Sequence, residues 1–188
     1  MTQLVRSALP TLAPLPDAVA APLRELVSAG AGVDEATRLK HFTGFAPGPL
    51  IDRLVLEAGG VAAPALLTLY PAVHAAWCDG EADDEERRRI LQAGWELELD
   101  RDPRGWALLE AWLAQPPPLG LGVLFQAWAA EAMRSWTAVR YEPWRAAVLA
   151  LAREVAEASG GGWFSSAVSA PEGAWLESLA AALDPLRA

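Results

Sequence analysis

The stretch that decides the fold is Ala65 to Leu97, "ALLTLYPAVHAAWCDGEADDEERRRILQAGWEL". Its first half places Leu66, Leu69, Val73 and Trp77 at i, i+3, i+7 and i+11, one face of a helix. Pro71 interrupts that face and predicts a kink or a late start. Its second half packs six acids between Asp79 and Glu86 and then runs into Arg87, Arg88 and Arg89. Asp83 is a favourable N-cap, and Glu86, three residues later, completes a capping box by reaching back to the cap's amide. Acids in a first turn suit the helix dipole. Asp83 with Arg87, Asp84 with Arg88, and Glu85 with Arg89 all stand acid-to-base at i, i+4. The reading is therefore helix, tight acidic turn, helix.

The same pattern continues in both directions. Asp17 caps a helix through about Ser28 and Asp34 another through about Phe42, while "PGPLIDRLVLEAGG" reads as a third that stops at Gly59-Gly60. Downstream, Asp102-Pro103 opens a helix carrying Trp106, Leu109 and Leu113, which ends at "QPPPLG". Leu124, Trp128, Ala132 and Trp136 step by four along the next, and Trp144, Val148, Leu151 and Val155 mark another. Ser169 and Glu172 form a second capping box, ahead of Leu176, Leu179 and Leu183. Alternating period-2 runs are almost absent. The fold class expected is all-α: a helical bundle with an N-terminal helical extension. Composition shifts at Gly59-Gly60, since all nine tryptophans follow it. The expected organisation is an extension over 1–60, able to pack on a bundle over 61–188.

Composition narrows the function classes. The chain has 188 residues, is 53% hydrophobic and has a formal charge of −9, so it can bury a sizeable core. That acidic balance argues against nucleic acid and against an anionic membrane surface. Cys78 is the sole cysteine, which excludes an internal disulfide and cysteine-rich zinc modules. "MTQLVRSALPTLAPLP" lacks the unbroken apolar stretch of a signal peptide, and no window is apolar enough for a membrane span. A cytoplasmic protein without membrane insertion is expected.

Asp79 and Glu81 precede the cap, so the helix does not need them, and Gly80 between them permits a tight turn with positive φ. A hard cation such as Ca2+ or Mg2+ wants such an oxygen cluster, with Asp79, Glu81 and Asp83 as its candidate ligands. An EF-hand is excluded: counted from Asp79, the sixth position is Asp84 rather than Gly and the twelfth is Ile90 rather than Glu.

An apolar helix ending in Ala75-x-x-x-Asp79-Gly80-Glu81, followed by a capped acidic helix start with Glu86, resembles the TerB-like (tellurite-resistance) helical family. The resemblance covers roughly residues 61–188. It implies two weakly repeated halves, each with an Asp-Gly turn between helices. The second turn carries Ser159-Gly160 where Asp-Gly would stand, with Ser169 and Glu172 repeating the cap and box. It further implies cation binding at an acidic surface, a link to metal-associated stress responses and protein partners, with no agreed enzymatic activity.

Other chemistries stay open or fall away. His74 and Cys78, at i, i+4 beside Asp79, are spaced to offer two ligands to zinc in a metal-dependent enzyme; packing inside the bundle is the other reading. A di-iron bundle is excluded, because Arg38 and Pro71 stand where Glu would precede His41 and His74. Nucleophile-elbow and phosphate-loop motifs are missing. Trp163-Phe164, after three glycines, either tucks onto the bundle or forms a partner contact. The tryptophans read mainly as core, with an apolar-ligand groove as the alternative.

Overall fold

The computed structural model describes residues 14–28, 34–46, 48–158 and 168–185, and among them the chain is all-α, with nine α-helices and no strand. Trp163, Phe164, Ser159 and Gly160 lie outside the described residues. In chain order the helices are α1 (Asp17–Ser28), α2 (Glu35–Thr43), α3 (Pro49–Glu57), α4 (Ala63–Ala76), α5 (Asp84–Glu96), α6 (Pro103–Ala114), α7 (Leu119–Ser135), α8 (Ala138–Ala158) and α9 (Ala170–Ala182). Short 3-10 turns precede α4 and α6.

The architecture is organised by α4. Apart from His74, every residue of this helix is buried. A helix apolar on all faces must be surrounded, since each fully buried Leu or Val contributes roughly 1.5–3 kcal/mol over its exposed state. Its main neighbour is α8, the longest helix, whose Trp144, Val148, Leu151 and Val155 are all buried. α5, α6, α7, α9 and α1 also pack against α4. Val19, Leu23, Leu39 and Ile51 from α1–α3 belong to the same hydrophobic core as Leu66, Leu69 and Val73.

Tryptophans and tyrosines in or against the core also tie elements together through their polar ends, as amphipathic aromatics do. Trp77 Nε1 donates to Trp112 O at 2.9 Å, holding the end of α4 to α6. Trp175 Nε1 donates to Pro71 O at 3.3 Å, joining α9 to α4, and the Tyr141 hydroxyl donates to Leu183 O at 2.9 Å.

Pro71 lies inside α4, which starts at Ala63 and runs past it, so the helix does not start late. Two local expectations need correction. Trp136 leaves its helix: α7 ends at Ser135 and Trp136 is extended, with φ −86° and ψ 148°. Its indole instead donates to Thr43 O at 2.7 Å, so a long-range bond overrides the four-residue stripe. Of the three expected i, i+4 ion pairs, only Glu85–Arg89 forms, at 3.4 Å; Glu85 also pairs with Arg88, while Asp83 is occupied by its cap. None of the described helices is long and apolar enough to cross a membrane.

Candidate functional site

The acidic turn is built by the way α4 stops. After Ala76, Trp77 N donates to His74 O, Cys78 N to Ala75 O and Gly80 N to Trp77 O, a sequence of tightening turns. Gly80 then adopts φ +99°, a region that side chains resist. Asp79 Oδ1 accepts from Glu81 N at 3.4 Å, so the turn partly holds itself. Asp79, Gly80 and Glu81 are exposed, and Ala82 is buried between them and α5.

Asp83 is used by the helix. Its Oδ1 accepts from Glu85 N and Glu86 N, each at 2.8 Å, and Glu86 Oε2 accepts from Asp83 N at 2.8 Å. Asp79, Glu81 and Asp83 therefore share one turn in different circumstances, two exposed and one capping. Among the described residues no group of three or more His, Cys, Asp and Glu side chains is arranged to hold a metal ion. A cation here would complete its shell with backbone carbonyls and water, as Ca2+ and Mg2+ commonly do.

His74 and Cys78 do come together on the adjoining turn. Cys78 Sγ lies 3.6 Å from His74 Nδ1 and donates to His74 O at 3.3 Å. The imidazole stacks on Trp175 with centroids 4.0 Å apart and meets Tyr70 edge-on at 5.9 Å. Burial lowers the His74 pKa, favouring the neutral ring. Burial, then the charges of Glu172, Asp79 and Glu86, push the Cys78 thiol up to about 11. A thiol so held is a weak ligand and a weak nucleophile, because the thiolate does both jobs.

Those charges expose what the sequence reading missed. Glu86 and Glu172, the box glutamates of α5 and α9, are each only 1% exposed. Glu172 Oε2 accepts from Ser169 N at 2.7 Å, but its buried Oε1 has no hydrogen-bond partner among the described residues. Glu86 is pushed up to about 7, chiefly by burial and then by Asp83, Glu172 and Asp79, with the Asp83 amide opposing. Two capped helix starts thus bury two acids, and Glu86 feels the charge of Glu172. The signal in sequence was the repeated capping box; read singly, each box accounts for its own glutamate and hides the pair.

The chain matches no family model, no curated protein and no solved structure.

Proposed function

We propose that the chain is a non-enzymatic binding protein of the TerB-like kind, taking a divalent cation (Ca2+ or Mg2+) at the α4–α5 turn and engaging a protein partner. The observation that carries this reading is the uncompensated negative charge behind the turn. The charges of Glu172 and Asp79 add to the cost of ionising buried Glu86, and a buried Glu172 oxygen has no partner among the described residues. Buried acids with an oxygen left unpaired are costly, and a hard cation is a ligand that relieves them. Asp79 and Glu81 would meet it from the exposed side, with Asp83 beside them. Helix order and the two capping boxes are what the resemblance asks for.

The test is a thermal melt of chelator-treated protein with Ca2+, Mg2+ or Mn2+ added in turn, alongside the double variant Asp79→Asn, Glu81→Gln. At about 100 times its dissociation constant, a cation adds roughly 2.7 kcal/mol, several degrees for a chain of this size. The expected result is a shift with one ion that the double variant loses. No shift with any ion would remove the cation from the reading and leave the turn as a capped helix start.

A further inference from the structure

At the junction of α1, α2, α7 and α8 lies a cavity of about 310 Å3, at the small end of the range for small-molecule sites. Its wall includes Phe42, Trp128, Trp136, Arg140 and Trp144, and among the described residues no carboxylate lines it, in a chain that carries a net charge of −9.

The polar groups of this wall divide sharply. Trp144 Nε1 donates to Thr68 Oγ1 at 3.0 Å, and that hydroxyl in turn donates to Pro64 O at 2.8 Å. Trp136 Nε1 is used by Thr43 O. One donor with spare capacity is left, since Trp128 Nε1, though without an acceptor among the described residues, is itself wholly buried. Arg140 is half-buried with its guanidinium carbon 4.1 Å from the Trp136 ring centroid and 4.9 Å from that of Phe42. Nη2 donates to Phe42 O at 2.6 Å, and among the described residues no carboxylate lies within ion-pair distance. A guanidinium carries five N–H donors, so one carbonyl leaves most of its capacity to spend. Burial also pulls the Arg140 pKa down, the mark of a cation short of water and short of an anion.

What this wall lacks is therefore an acceptor, preferably negative, attached to an apolar body of modest size. A phosphate would ask for more than one cation, and a neutral lipid would leave Arg140 unanswered. We propose that the cavity binds a small amphipathic monocarboxylate, its carboxylate on Arg140 and its apolar body against the tryptophans. The aromatic faces around Arg140 keep its fork oriented, and a carboxylate fits that fork. This site shares no residue with the acidic turn, so its test stands apart from the cation experiment.

The experiment is isothermal titration of the full chain with phenylacetate and octanoate, and with their neutral counterparts 2-phenylethanol and octanol. Both acids should bind saturably, and each alcohol about tenfold or more weaker, the cost of a lost charge-assisted bond. Arg140→Gln should bring the acids down to the alcohols. Because Arg140 also ties α8 to α2, a second variant is placed at the cavity's exposed rim, where Ala18→Phe leaves the core untouched. It should abolish binding of every probe without changing the melting temperature. Equal affinity for acid and alcohol, no saturable binding of either acid, or unaltered binding in Ala18→Phe would each overturn the proposal.

Discussion

Glu86 and Glu172 stand at the same position of two different helices, third after the cap. Each folds back on its own cap amide, at 2.8 and 2.7 Å, and each is almost wholly buried. Glu86 also bears the charge of Glu172. Capping explains each residue's place in its own helix. It does not explain why two acids that feel each other's charge should both be buried.

That arrangement makes stability depend on pH. The folded-state pKa of Glu86 lies above its ordinary value of 4.5, at about 7. Between those values the native state holds a proton that the unfolded chain has released, so stability falls as pH rises through about 7. The fall should be on the order of 2 kcal/mol between about pH 5 and pH 8. Glu86→Gln keeps an oxygen for the Asp83 amide and removes the charge. Its urea midpoint should match wild type at the lower pH and exceed it at the higher. Parallel pH profiles for the two proteins would rule out Glu86 as the group responsible.

The caps themselves should behave more simply. Asp83→Ala leaves the Glu85 and Glu86 amides unanswered and should cost about 1–2 kcal/mol. Ser169→Ala removes a single, longer bond of 3.4 Å and should cost less, about 0.5–1 kcal/mol. The exposed neighbour change Asp84→Asn should fall within about 0.5 kcal/mol of wild type. Differential scanning calorimetry of the three variants would check the order.

Most helices are legible in the sequence because local rules fix them. The caps at Asp34, Asp83, Asp102 and Ser169 all form, and the helices begin where these caps place them. The misses are tertiary. Trp136 follows a helical spacing from Leu124 to Ala132, yet Thr43, distant in sequence, captures its indole and the helix ends first. Pro71 does not delay α4: the helix starts at Ala63, and its packing outweighs a single lost backbone bond. The turn of Asp79, Gly80 and Glu81 was readable as a feature. The buried pair behind it was not, since nothing local brings Glu86 to Glu172. Arg140 was not singled out either, since Phe42 and α1, which complete its surroundings, are distant in sequence.

Glycines separate local propensity from packing. Gly105 in α6 sits where an added Cβ would meet Ala62 Cβ at 2.6 Å and Leu99 Cδ1 at 3.0 Å. Ala62 Cβ is fixed to the backbone and cannot swing away. Gly105→Ala should therefore destabilise by about 1–3 kcal/mol despite alanine's better helix propensity. Gly173 in α9 has nothing within 4 Å of that position, so Gly173→Ala should stabilise by about 0.5–1 kcal/mol. Opposite signs in chemical denaturation would support the close approach of α6 to the turn before α4; equal signs would refute it.

Cys78 reports on the charge behind the acidic turn without disturbing it. Its thiol is half-buried, donates to His74 O and is pushed up to about 11. Near pH 8 the thiolate is the reactive form, and an ordinary cysteine titrates near 8.5, so the native thiol should react with a disulfide reagent about a hundredfold slower than the unfolded chain. Burial is the larger cause and the charges of Glu172, Asp79 and Glu86 the smaller. Glu172→Gln combined with Asp79→Asn should thus speed the reaction only several-fold, leaving it well short of the unfolded rate. A native rate equal to the unfolded one would show that neither burial nor the acids hold the thiol. If a cation settles among these carboxylates, it should speed the wild-type reaction as the double neutralisation does and have little further effect on that variant.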